Sequence, residues 1–175
     1  MRDDSAYLDV PQVKTTAKVL MTRPPSDSPI IAAIMLDYAR ELSTDPESEI
    51  VIIVAHGPDN DEANQKELVT LQGHAKIMRR DSDFADVKAI TLMDDAPPEV
   101  RAANVVNLRS WVETATNEGK RVLIVSNLVT TSNVHKKIAR DLEGLEFQVN
   151  NKGLTLHPLF QNWLGYAIGQ ILQES

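Results

Sequence analysis

The chain contains no cysteine. Disulfide scaffolds, thiolate metal sites and thiol nucleophiles are therefore excluded, and any metal must be held by His, Asp, Glu or water. Aromatic residues make up only 5% of the sequence, and there are seven glycines. None of them forms the phosphate-cradling G-x-x-x-x-G-K-[ST] loop or the G-x-S-x-G elbow of α/β-type serine hydrolases. No apolar run approaches the ~20 residues of a membrane span. Excess positive charge is also absent. The formal net charge is −7, which argues against a broad basic surface for nucleic acid. The amino terminus, MRDDSAYLDV, is acidic and lacks an apolar core segment, so it does not read as a secretory signal. The expectation is a cytoplasmic protein with neither nucleic-acid nor membrane partners.

What is present fits one globular domain with a substantial core: 175 residues, 42% hydrophobic and 25% charged. Residues 1–12 read as peripheral, and Lys18-Val19-Leu20-Met21 as a short strand. Ser28 is a good N-cap and Pro29 a good first helical residue. Ile31, Ile34, Met35, Tyr38 and Leu42 then recur at helical spacing, which predicts a helix over about 29–43. Ile50 to Ala55 is almost wholly apolar and β-branched, as in an inner strand covered on both faces. Helix follows over 61–80, strand from Val87 to Met93, and helix from the Pro97-Pro98 pair to Gly119. Arg121 to Val125 is a further strand and Val134 to Leu142 a short helix. Either Phe147 to Val149 or Leu154 to Leu156 is a strand, and Pro158 to Leu172 is the last helix. This alternation predicts a three-layer α/β fold, with a parallel sheet of about four to five strands and helices on both faces. Ligands bind such sheets at the carboxyl ends of the strands.

His56 stands at that rim, at the end of the most apolar strand, and Gly57 after it allows close approach of a loop or ligand. Imidazole can take a proton or hold a metal near neutral pH. Histidine phosphatases need an arginine just before such a histidine, and here that position is Ala55. Asp94 and Asp95 end the strand that closes at Met93, so they share the rim, and one of the pair is also placed to cap the following helix. His135 opens a short helix, and His157 precedes Pro158. His74, in mid-helix, reads as a surface residue. Lys136, Lys137 and Arg140 form a small basic cluster suited to carboxylates. Two short units echo each other: Val19 to Pro24 and Gly153 to Pro158 both lead through a proline turn into an apolar helix. On that reading residues 1–47 are an extension carrying the tail of a preceding half, and 48–175 the α/β domain proper.

Three segments in order, VIIVAHGPDNDEAN, ITLMDDAPPEVR and GKRVLIVSNLVTTSNVHKKIARDL, resemble the cobalt/iron chelatase family that acts on sirohydrochlorin. They span about residues 48–145, and KGLTLHPLFQNWL looks like the closing unit of long, two-half members. The resemblance implies insertion of a divalent metal (cobalt or iron, with nickel an option) into sirohydrochlorin or a related tetrapyrrole, without nucleotide hydrolysis. The metal is then a substrate, and no nucleotide cofactor is expected. It further implies His56 as base and metal ligand, Asp94 and Asp95 as the acidic groups beside the metal path, and His135 and His157 as further candidate ligands. Gly57, Asn60, Asn64 and Lys136 become tetrapyrrole contacts. Family members enclose the ring between two such halves, so a homodimer or a second half is the expected partner. Two positions depart from the family pattern. Ser126 replaces a loop proline, and His135 lies about one residue beyond the family histidine. They favour an alternative, a non-catalytic tetrapyrrole- or metal-binding domain derived from a duplicated chelatase. A flavodoxin-like nucleotide or flavin binder is a third reading, set back by the missing phosphate loop.

Overall fold

A computed structural model describes residues 15–22, 24–130 and 134–174. Residues 1–12, read above as peripheral, lie outside it. The first helix among the described residues, α1 (Pro29–Leu42), starts where Ser28 accepts a hydrogen bond from Ile30 N. The strand β1 (Glu49–Ala55) follows, then α2 (Asp61–Arg80) and β2 (Asp86–Thr91). Helix α3 (Pro98–Asn117), β3 (Arg121–Ser126), α4 (Val134–Asp141), the two-residue β4 (Gln148–Val149) and α5 (Pro158–Glu174) complete the order. All pairings are parallel and the strand order is β2-β1-β3-β4, so every connection crosses over through a helix. The α/β architecture with a four-stranded parallel sheet is the one the sequence predicts.

β1 sits between β2 and β3 and is buried along its whole length, which accounts for its unbroken apolar run. Side chains alternate along it. Val51, Ile53 and Ala55 join the core under α1 and α2, with Leu71, Ala75 and Met78. Ile50, Ile52 and Val54 join the core under α3 and α4, with Leu108, Val112, Ile138 and Leu142. This parity is extended by the next residue, so His56 leaves the strand on the α3/α4 side.

Two expectations, for Lys18 to Met21 and for His74, need correction, and the choice left open for the last strand is resolved in favour of the first segment. Lys18 to Met21 is not a strand: the segment pairs with no strand, and Val19 and Met21 stay exposed, so no apolar face is covered that would reward pairing. Leu154–Leu156 is a 3-10 turn, and β4 takes the final sheet position. His74 is buried, not on the surface. It falls at i+3 from Leu71, on the inward stripe of α2, and its Nε2 donates to the Ser26 carbonyl at 2.8 Å. Helix α1, whatever its origin, is an integral layer, with Ile31, Ala32, Ile34, Met35, Tyr38 and Ala39 almost wholly buried.

At the amino end of β1, Glu49 is wholly buried. It accepts from Ser43 Oγ at 2.5 Å and Thr44 N at 3.0 Å, and pairs with Arg121. Burial alone would raise its pKa; these donors and the Arg121 charge outweigh that and lower it. Helix α5 buries part of its first turn through Leu159 and Phe160 but leaves Leu164, Tyr166, Ile168 and Leu172 exposed. Among the described residues no helix is long and apolar enough to cross a membrane.

Candidate active site at the carboxyl rim

The β1–β2 ladder continues past the ends of both strands. Leu92 N donates to Ala55 O at 2.9 Å and Asp94 N to His56 O at 3.1 Å. Two residues with positive φ make this possible, Gly57 at 76° and Met93 at 52°. At Gly57 a Cβ would lie 2.8 Å from Thr91 Cβ and 3.0 Å from Met93 N, so only glycine fits there unstrained. The tight loop keeps His56 and Asp94 backbone to backbone.

The side chains meet on the same side. His56 Nδ1 lies 3.6 Å from Asp94 Oδ2 and its Nε2 lies 3.5 Å from Asp95 Oδ2. Both are ion-pair separations longer than a hydrogen bond. The His56 side chain is 46% exposed and Asp95 42%, whereas Asp94 is only 6% exposed. His56 therefore lies between a buried carboxylate on its inner nitrogen and an open carboxylate on its outer one.

Asp94 is heavily engaged. Arg101 Nε donates to its Oδ1 at 2.7 Å and Lys137 Nζ to its Oδ2 at 3.1 Å. Burial would raise the Asp94 pKa, but the bonds from Arg101 and Lys137 and their charges more than offset this and hold it lower than usual. Arg101 Nη2 also reaches Asp141 Oδ2 at 2.5 Å. Asp94 and Asp141 thus share Arg101 beneath His56, with Lys137 also on the first and Arg140 on the second. The N-cap role expected of the Asp94–Asp95 pair is not filled: Pro97 caps α3, without a side-chain bond.

The other expected contacts are placed as follows by the fold. Asn64 is buried on the α1/α2 side, where its Oδ1 accepts from Thr91 Oγ1 at 2.6 Å. It joins α2 to β2 across the sheet face opposite to that of His56, as the strand alternation requires. Asn60 is the N-cap of α2, accepting from Ala63 N at 2.9 Å. Lys136 is exposed, and it is Lys137 that reaches the rim. His135 is partly buried in the first turn of α4. His157 packs edge-on against Tyr38 with ring centroids 5.3 Å apart, and its Nε2 lies 3.5 Å from Asp37 Oδ2. Its Nδ1 accepts from Leu159 N at the start of α5, so a turn role accounts for it. Among the described residues no three His, Asp or Glu side chains are grouped to hold a metal ion, so the set of His56, His135 and His157 is not assembled. Arg101 and Asp141 were not singled out by the sequence reading.

No protein-family model matches the chain, and no curated protein sequence matches it. Solved structures do. SirB from Bacillus subtilis, determined with Fe3+, superposes with a TM-score of 0.68 at 16% identity, over 97% of this chain and 62% of that one. DR2241 from Deinococcus radiodurans, a multi-domain protein with structural similarity to chelatases and two additional domains, matches with a TM-score of 0.54 at 18% identity, over 83% of this chain and 30% of that one. The fold is therefore that of a chelatase-like domain. The chain spans less than two thirds of the length of either structure.

Proposed function

We propose that this domain inserts a divalent metal, cobalt or iron, into sirohydrochlorin or a related tetrapyrrole. The observation that carries the reading is the half-exposed His56 at the sheet rim, with a buried, charge-balanced aspartate behind Nδ1 and an open aspartate beside Nε2. The SirB structure with Fe3+ supports a metal-handling role for this fold.

Insertion requires two pyrrole N–H protons to leave and the metal to shed water. With a proton on Nδ1 facing Asp94, His56 keeps a lone pair on Nε2 at the exposed side. That nitrogen can accept a pyrrole proton or ligate the incoming metal substrate before transfer. Asp95 adds negative charge beside the same nitrogen and favours cation approach. Asp94 serves from behind, since both of its oxygens already face cations. A second half, from another copy or another segment, closes the cleft on this reading. The exposed Leu164, Tyr166, Ile168 and Leu172 of α5 and the partial span of SirB support such a partner.

One observation favours the second reading, a non-catalytic tetrapyrrole- or metal-binding domain: no three-residue metal group forms among the described residues. Sirohydrochlorin mixed with Co2+ or Fe2+ separates the two through its visible spectrum. Insertion by the wild type that falls about 10²-fold or more in His56→Ala is the expected result for a general base. Equal rates would remove His56 from the mechanism, and binding without insertion would favour the second reading.

A further inference from the structure

We infer that Arg101 is a positioning residue for His56, acting through Asp94. The inference deepens the chelatase reading and rests on it for its kinetic readout alone.

Arg101 stands in the first turn of α3, on the sheet face that His56 enters. Its guanidinium works in two directions. Nε donates to Asp94 Oδ1 at 2.7 Å, while Nη2 and Nη1 donate to Asp141 Oδ2 and Oδ1 at 2.5 and 3.4 Å. The Asp141 end is itself tied down. Its carboxylate also receives Arg140, and its backbone oxygen accepts from Arg109 Nη1 at 2.8 Å. The planar fork is therefore held at its far end before it touches Asp94, and it cannot follow a swinging carboxylate.

The consequence for Asp94 is geometric. With Oδ1 fixed by Arg101, rotation of the carboxyl group is stopped. Oδ2 is then left facing Lys137 Nζ at 3.1 Å and His56 Nδ1 at 3.6 Å. Lys137 alone would hold one oxygen and leave the group free to turn. The His56 backbone is already fixed by its ladder bond with Asp94, so the remaining freedom is rotation of the ring. Asp94 Oδ2 faces Nδ1 from a buried, anchored position, whereas Asp95 Oδ2, 3.5 Å from Nε2, belongs to an exposed and solvated side chain. The anchored carboxylate therefore outweighs the solvated one in setting the ring orientation and the Nδ1-protonated tautomer, and leaves the Nε2 lone pair at the exposed side. Arg101, 20% exposed, contacts neither His56 nor the open cleft in any bond described above, and its action is indirect.

The test uses the full chain with Arg101→Met, Arg101→Lys and Asp141→Asn. Imidazole 15N signals of His56 are read in the neutral ring, where the Nδ1 and Nε2 lines report the tautomer ratio. The wild type is expected to hold mainly the Nδ1-protonated tautomer. Arg101→Met should give a mixture, and Asp141→Asn a smaller shift in the same direction. Arg101→Lys should restore only part of the wild-type ratio, because a single ammonium cannot bridge both carboxylates. In the insertion assay kcat should fall about 10- to 100-fold in Arg101→Met, the usual scale for outer partners of a ligating histidine, with KM for sirohydrochlorin unchanged. A wild-type tautomer ratio in a folded Arg101→Met protein would overturn the inference. Should Arg101→Met fail to fold, an unchanged ratio in Asp141→Asn and Arg101→Lys would overturn it equally. If the wild type inserts no metal, the chelatase reading fails by itself and the NMR ratio still decides the role of Arg101.

Discussion

Replacing Gly57 by alanine tests whether the backbone, before any side chain, builds the rim. Two costs add at this position. The first is the positive φ of 76°, which costs an L-residue about 1–2 kcal/mol. The second is crowding, because the new methyl would lie 2.8 Å from Thr91 Cβ and 3.0 Å from Met93 N. One of those neighbours is backbone and cannot rotate aside, so overpacking adds about 1–3 kcal/mol. Gly119 supplies a matched control. Its φ is 75°, yet nothing lies within 4 Å of its would-be Cβ. Gly119→Ala should therefore lose only the first cost, and Gly57→Ala about 1–3 kcal/mol more. Urea unfolding of both variants at neutral pH measures the difference. Each kcal/mol also lowers Tm by about 2–4 °C for a chain of this size. The Gly57 clash is relieved by parting the loops that carry His56 and Asp94, so on the proposed chelatase reading insertion should fall as well. Equal stability losses in the two variants would refute the crowding argument, and with it the claim that Gly57 sets the His56–Asp94 spacing.

Two further outcomes follow from buried ionisable groups. Burial lowers the His74 pKa, and the Ser26 carbonyl and Asp27 only partly oppose this. The unfolded chain therefore binds the proton more readily, and stability should decline as pH falls from ~6.5 toward the lower folded value. In His74→Gln, which keeps a donor for Ser26, that decline should disappear from denaturation curves recorded between pH 8 and 5; a slope matching the wild type would refute it. Glu49→Gln should cost roughly 1–3 kcal/mol in urea unfolding at neutral pH, by weakening a buried set of charge-assisted bonds. The sign for Glu49 is the reverse of a raised group: its contribution is complete above ~4.3 and lost as pH falls through its lowered folded pKa. A loss below about 0.5 kcal/mol would place Glu49 among ordinary surface residues.

Much of the framework was legible in the sequence because it follows from short-range periodicity. The unbroken run Ile50 to Ala55 announced a strand buried on both faces, and its end announced His56. The structure departs from that framework where the helical phase decides a side chain's direction or where contacts are distant in sequence. His74 follows Leu71 by three residues and precedes Met78 by four, so it lies on the inward stripe, a signal that was present. Asn64 belongs to a helix on the opposite sheet face, which the parity of β1 determines once the side of α2 is known. Lys136 lies about half a turn from the buried Ile138, so the phase of α4 turns it outward and brings Lys137 to the rim. Arg101 and Asp141 left no local signal. Forty residues separate them, and only the packing of α3 against α4 brings them together.

The central place of β1 has a consequence for how the rim moves. A strand hydrogen-bonded on both sides and covered on both faces can expose its amides only when the whole sheet opens. Native-state hydrogen exchange should therefore find the slowest amides in Val51 to Val54. His56 is attached two residues beyond this least yielding segment, so the histidine is carried on a fixed reference at the sheet rim.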